Sequence, residues 1–296
     1  MRSLALRAGL AAADVVVRSL PRRVAYWLAD VIGRTWHRRA DARRALVSEG
    51  LRRVCAATGR PTDGPEFRHL VERAFVEYAR YYVEVLRAPH YDPARIEDHV
   101  SVDDWSRLEP LLRDGAVIAL PHLGNFEPFG FFVEAHHFTG VAPVEETEPP
   151  ELYEFLTTRR AVGRGVRVVP LSKSRRPMIE ALRNGEIVAL VADRDLDGDG
   201  IEVTMFGHPT TLPAGPATLA VMTERPILIA RVLRIGPDRF AARGWMLDTA
   251  ARDGEERRAR VARITREMGG RFEESIAEAP EQWWAIFQPF WSDQRT

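Results

Sequence analysis

The sequence predicts an α/β fold, a central, mostly parallel sheet with helices on both faces, preceded by a helical N-terminal annex. Three observations lead there. Up to residue 114 the apolar residues recur at helical spacing. From residue 115 short apolar runs, apolar enough to be buried, alternate with helical segments. The 296 residues are 45% hydrophobic and 28% charged, enough to fill one large core and too apolar for wholesale disorder.

In the annex, residues 1–114, two amphipathic stretches come first. Leu4, Leu6, Leu10, Val15, Val16, Val17 and Leu20 alternate with Arg2, Arg7 and Arg18. After Pro21, Tyr26, Trp27, Leu28, Val31, Ile32 and Trp36 stand beside Arg22, Arg23, Arg34, Arg38 and Arg39. Pro61, Gly64 and Pro65 punctuate a loop; Leu70, Phe75, Tyr78, Tyr82 and Leu86 then mark a helix with one apolar face, closed by Pro89. That aromatic stripe reads as core.

In the α/β core, residues 115–296, strands are expected at Ala116–Pro121, Gly140–Pro143, Val166–Leu171, Ile187–Ala192, Ile201–Phe206, Ile227–Ile235 and Phe240–Met246. Helical patterns fall at Phe126–His137, Leu152–Val162, Pro177–Arg183, Ala214–Thr223 and Glu255–Ala279. The later strands run close together and are expected to add antiparallel hairpins, with Gly236-Pro237-Asp238 as one turn. His208 is read in a Gly-His-Pro turn.

Composition excludes several classes. Cys55 is the only cysteine, so an intramolecular disulfide and a cysteine-based zinc site are both ruled out. No phosphate-binding loop, Gly-x-Ser-x-Gly elbow, His-Glu-x-x-His helix or dinucleotide fingerprint is present. The net charge is zero, yet residues 1–60 carry 13 arginines against four acids, a local +9. That end suits an anionic partner, and arginine interleaved with aromatic and aliphatic residues suits a helix lying in a lipid interface. The other reading is a helix packed on the domain with a solvated basic face. No stretch approaches the roughly 20 apolar residues of a spanning helix, and no signal peptide is recognised.

One constellation stands out, Leu120-Pro121-His122-Leu123-Gly124-Asn125-Phe126-Glu127. A strand delivers His122 to its carboxyl end, where open α/β sheets bind ligands. Gly124 and Asn125 permit a sharp turn, and Glu127 falls in the first turn of the next helix. A carboxylate so placed can accept the imidazole Nδ1–H and leave Nε2 as a general base. The competing reading is a helix N-terminus capped by Asn125 beside a structural histidine. The acidic run Asp193-Arg194-Asp195-Leu196-Asp197-Gly198-Asp199-Gly200 imitates half of a calcium loop. It follows a strand, however, and has Thr204 where the bidentate glutamate belongs. It reads as an acidic loop at the sheet's carboxyl edge, near His122.

His122 with Glu127 resembles the His-x4-Asp/Glu motif of glycerolipid acyltransferases. The rest is similar to the lipid A lauroyl/myristoyl acyltransferase superfamily. Its further marks follow in order: Arg159-x-x-x-Gly163 and Val168–Leu171, Val191–Asp195, Met205–Gly207, Leu212–Ala217, and Leu219-Ala220. The tail Pro280–Trp291 and the arginine-heavy, lysine-poor composition resemble the actinobacterial branch, which acylates phosphatidylinositol mannosides. The resemblance covers roughly residues 20–291. It implies transfer of a fatty acyl group, usually palmitoyl, from acyl-CoA to a mannose 6-hydroxyl, by a peripheral enzyme on the cytoplasmic face of the membrane. Acyl-CoA would be a co-substrate; no cofactor, metal or nucleic acid is expected.

Carried over, His122 is the general base, and Glu127 orients it or holds the sugar. Asp193 is a second acid able to pair with the imidazole, so the relay partner stays open. Arg159, or Arg160 or Arg164 in a shifted register, contacts the anionic or sugar part of the acceptor, and Asn125 and Phe126 are further substrate-binding candidates. Oxyanion donors are sought at Arg159 or in backbone N–H groups near Gly124. Phe126, Phe129, Phe131 and Phe132 are candidates to line an acyl groove, with at least two of them in the core. The alternatives are acylation of another glycolipid or of a phospholipid, and a catalytically silent lipid-binding protein.

Overall fold

The structure, a computed structural model, describes residues 2–160 and 165–295. In chain order the annex gives helices α1 (Arg2–Ser19), α2 (Arg22–Arg39), α3 (Asp41–Ala57) and α4 (Gly64–Arg87), then strand β1 (Val100–Val102) and α5 (Trp105–Leu112). The core follows with β2 (Val117–Leu120), α6 (Glu127–Ala135), β3 (Gly140–Val144), α7 (Pro150–Arg160), β4 (Val166–Pro170), α8 (Arg175–Arg183) and β5 (Ile187–Val191). After these come β6 (Ile201–Met205), β7 (His208–Leu212), α9 (Gly215–Thr223), β8 (Ile227–Gly236), β9 (Arg239–Leu247) and α10 (Arg257–Glu278).

Seven strands form one sheet in the order β1-β9-β8-β2-β5-β3-β4, parallel at every pairing except β8 with β9. β2 lies near the middle and is buried along its whole length. Its residues alternate between two cores, Val117 and Ala119 facing one and Ile118 and Leu120 the other. The first core receives α3, α4, α8, α9 and α10; the second receives α5 and α6. Helices therefore cover both faces, which explains why these strands read as continuous apolar runs.

Two strands differ from the sequence expectation. β1 lies inside the stretch read as helical; Val100-Ser101-Val102 is too short for a periodic signal, and its state is set by parallel pairing with β9, Val100 opposite Phe240. β7 occupies the segment read as a Gly-His-Pro turn. The turn lies one step earlier, at Phe206 and Gly207, whose φ values of 52° and 78° make the two-residue connection of a hairpin. β6 and β7 pair only with each other, as a separate ribbon, while the Gly236–Asp238 turn joins β8 to β9 as expected.

The annex is fastened to the core by buried charge. Arg234 on β8 gives Nε and Nη2 to the Glu84 carboxylate of α4, the second contact at 2.6 Å, and Nη1 to Glu77. Burial opposes that charge, but Glu84 and Glu77 outweigh it and hold the guanidinium above its ordinary range. Tyr26 of α2 donates to Glu84 at 2.6 Å and accepts from the Asp238 backbone N–H at 2.7 Å. α2 approaches α4 closely at Gly33, where any Cβ would stand 2.6 Å from the Val76 Cα.

The outer faces of α1 and α2 keep Leu6, Val15, Val16, Val24, Trp27, Val31 and Ile32 exposed. No helix among the described residues is long and apolar enough to cross a membrane.

Arg234→Met would leave Glu77 and Glu84 buried without their counter-charge, at a cost of about 3–5 kcal/mol. Urea unfolding should show that loss as a lower midpoint; a loss below about 1 kcal/mol would mean the annex is held by packing alone.

Candidate active site

β2 and β5 are parallel neighbours in a register that sets Leu120 opposite Val191. Two residues beyond each, the chain places His122 and Asp193 side by side at the carboxyl edge of the sheet. The His122 Nδ1 lies 2.5 Å from Asp193 Oδ1. Asp193 Oδ2 accepts from the His122 backbone N–H at 2.9 Å and from Trp283 Nε1–H at 2.8 Å. A carboxylate only accepts, so Nδ1 carries the ring proton and Nε2 is the nitrogen left to take another. Burial of the wholly enclosed Asp193 opposes its charge. The neighbouring His122 ring and the hydrogen bonds from His122 and Trp283 outweigh that, holding the carboxyl below its usual range.

The loop carrying His122 is stapled on both sides. The Gly124 N–H donates to Gln282 O at 2.9 Å, the Asn125 N–H to Val232 O at 3.3 Å, and the Trp284 N–H to His122 O at 2.9 Å. Gly124 has φ +62°, and a Cβ there would lie 2.0 Å from Val232 O, so only glycine fits. These contacts revise one expectation. The backbone N–H groups of His122, Leu123, Gly124 and Asn125 all have acceptors already, so none of them is an oxyanion donor.

The spacing argument for Glu127 as the partner of Nδ1 is likewise replaced, since strand register brings Asp193 there. Glu127 opens α6, borders the cavity described below, and accepts from the Tyr81 hydroxyl at 3.2 Å. Asn125 is fully buried; its Oδ1 accepts from the Glu127 N–H at 3.0 Å and its Nδ2 donates to Glu84 at 3.0 Å. It holds the loop and links it to Arg234. Arg159 and Arg160 end α7, but their side chains, and Arg164 altogether, lie outside the described residues.

His122, Phe126 and Glu127 border a cavity of about 440 Å³. Its inner wall is apolar, with Ile118 and Leu120 from β2, Ile187 and Ala189 from β5, Val166 from β4 and Phe129 and Val133 from α6. Tyr82, Leu171 and Leu196, all more than a third exposed, mark its rim together with Arg194, which pairs with Glu145 at 3.3 Å. The cavity follows β5 from Ile187 to Val191, a run of about 13 Å at strand rise. Phe126 and Phe131 border it too, whereas Phe132 packs on Trp105 and His136 in the core.

Three contributors went unassigned at the sequence level. Trp283 supplies the third donor to Asp193. Trp284 meets the His122 ring edge-to-face at 4.4 Å, and Tyr81 reaches Glu127. The tail motif carried the tryptophans only as a resemblance, and Tyr81 fell outside the aromatic stripe named on α4. Asp195, by contrast, accepts from the Gly198 and Gly200 N–H groups and so closes its own loop. Among the described residues no three His, Cys, Asp or Glu side chains form a group able to hold a metal ion.

Asp193→Asn would lose the carboxylate that fixes the imidazole tautomer and is expected to lower turnover on the order of 10³–10⁴-fold. In the pH–rate profile the acid limb, which reports the base, should move in that variant and stay in Glu127→Gln; the reverse pattern would restore Glu127 as the relay acid. Stability gives an independent check. The folded carboxyl is depressed, so Asp193 contributes stability above its unfolded value of about 3.9 and loses it as pH falls through the folded value. Acid unfolding of Asp193→Asn should lack that contribution.

The sequence pattern of the bacterial lipid A biosynthesis acyltransferase family matches residues 5–292. The chain is 37% identical to the phosphatidylinositol mannoside acyltransferase of Mycobacterium tuberculosis, over 72% of this chain and 67% of that protein. It is 34% identical to the protein of the same name from Mycolicibacterium smegmatis, over 97% and 93%. With that match over nearly the whole chain and these two relatives, the chain belongs to the bacterial lipid A biosynthesis acyltransferase family.

Proposed function

We propose that the protein transfers a fatty acyl group, palmitoyl by preference, from acyl-CoA to a mannose hydroxyl of a phosphatidylinositol mannoside. The observation that carries this reading is a His–Asp pair, its carboxylate buried and its imidazole Nε2 left over, beside a long apolar cavity. The acceptor class comes from the relatives' names.

His122 Nε2 takes the proton of the mannose hydroxyl as its oxygen attacks the thioester carbonyl, and Asp193 stabilises the imidazolium so formed. The tetrahedral adduct then expels CoA as a thiolate, the C–S bond breaking as the ester C–O bond is completed. The imidazolium returns its proton to the thiolate, and His122 is neutral again. A thiolate leaves readily, so the step calls for one base and a donor to the oxyanion, with no metal or further cofactor. Arg159, Arg160 and Arg164 remain the candidates for holding the acceptor's anionic part, and Arg159 for the oxyanion.

The same reading places the enzyme peripherally on an anionic membrane surface, at the cytoplasmic face. Exposed Trp27, Val31 and Ile32 on α2 sit among Arg23, Arg34, Arg38 and Arg39, a composition suited to lying in the interface. α1 pairs through Arg7 with Glu154 of α7 at 2.7 Å, and α7 borders the cavity through Tyr153 and Leu156. A lipid-facing annex would thus adjoin the substrate chamber.

Release of free CoA from palmitoyl-CoA should require a dimannosylated phosphatidylinositol and fall about 10²–10⁴-fold in His122→Ala. Acceptor-independent release would reduce the reading to thioester hydrolysis, and no release with intact lipid binding would leave a silent lipid binder. A double variant, Trp27→Ser with Ile32→Ser, should bind anionic phospholipid vesicles roughly tenfold or more weakly, since each buried side chain contributes about 1.5–3 kcal/mol. Unchanged vesicle binding would remove α2 from the membrane contact.

A further inference from the structure

α6 lies along the cavity and borders it over most of its length, from Phe126 at its start to Glu134, with Gly130 in the middle of that run. Gly130 is the only glycine among the described residues bordering the cavity. It lies inside the helix, where glycine is destabilising relative to alanine. No backbone requirement explains it: its φ is not positive, and a Cβ built on it would meet nothing within 4 Å. That sets it apart from Gly124 and Gly33, where a Cβ would strike a neighbouring backbone. Glycine at this position leaves open space at the cavity wall where a side chain would stand.

The position within the cavity matters. α6 starts beside His122 and runs back against the strand direction, so depth can be counted along it. Gly130 stands four residues past Phe126, about 6 Å along the axis, and the cavity continues about 6 Å more to Glu134. A side chain at residue 130 would therefore stand midway between the imidazole and the inner end, which Ile187 and Val166 line at the first residues of β5 and β4. From these placements we infer that Gly130 is the chain-length gauge of the enzyme: the missing side chain leaves the groove open past its midpoint, so that a long alkyl chain passes beneath α6. This deepens the acyltransfer reading and rests on it for the nature of the chain.

The experiment compares wild type, Gly130→Ala and Gly130→Leu. Gly130→Ala, whose methyl group meets no neighbour, should melt at or above the wild-type temperature, by about 2 °C if helix propensity acts alone. Gly130→Leu should lower the ratio of kcat/KM for hexadecanoyl-CoA to that for octanoyl-CoA by about tenfold or more, the discrimination that filling an apolar pocket gives. Calorimetric binding of hexadecanoate and octanoate to the same proteins supplies a readout that needs no turnover. If no variant transfers an acyl group but the leucine still shifts binding toward octanoate, the gauge stands and the acyltransfer reading falls. An unchanged chain-length preference in folded Gly130→Leu overturns the gauge, as does a wild type that binds neither fatty acid. A Gly130→Ala protein that melts well below wild type would show that the space is not open, and overturns it too.

Discussion

A carboxylate with no solvent exposure is tolerated only where donors replace the water it has lost, and Asp193 is such a group. Its three donors come from two parts of the chain: the ring and backbone of His122 after β2, and the indole of Trp283 from the tail. Each requires something larger. The ring contact needs β2 and β5 paired in their observed register, because a one-residue slip would turn Asp193 to the other face. The indole contact needs the tail folded across the end of the sheet, where Leu123 and Trp283 form an antiparallel bridge. The sheet order, the tail and the His122 loop are thus conditions on one buried charge.

A second buried charge connects that loop to the annex. Glu84 of α4 receives Arg234 from β8, Tyr26 from α2 and Asn125 from the His122 loop. Asn125 in turn caps the N–H of Glu127, so the two acids of the His-x4-Glu segment and its partner strand have separate supports, one polar cluster beneath each. The annex helices are accordingly part of the scaffold that fixes the loop, besides presenting an apolar and basic outer face. The tail is clamped from the same side, with Arg53 of α3 bound to Asp293 at 2.6 and 2.8 Å and its guanidinium over the Trp291 ring.

What could be read from the sequence follows from how local each signal was. β2, β5 and β8 were visible because burial on both faces leaves uninterrupted apolar runs, and α4 because its apolar positions keep a helical period over 24 residues. His122 was visible because a strand, a glycine and an acid follow one another within eight residues. The pairing of His122 with Asp193 spans 71 positions and depends on which strands are neighbours, which no local pattern encodes. The preference of spacing for Glu127 was a local answer to a nonlocal question. β1 escaped for the same reason, being a strand by virtue of β9, and β7 was hidden by placing its hairpin turn one residue late. The cavity was foreshadowed only in part: the phenylalanines after the motif suggested a groove, while Gly130 has no side chain to advertise one.

The contact between Trp283 and Asp193 bridges 90 positions, which bears on the order in which the protein is made. Translation delivers His122 and Asp193 long before the indole that completes their environment, so a nascent chain that has reached β5 holds a carboxylate it cannot yet bury. The pair acquires its final electrostatics only when the tail emerges and folds back over the sheet edge. Chains interrupted before Trp283 would carry His122 and Asp193 without the indole donor that completes the burial of the pair.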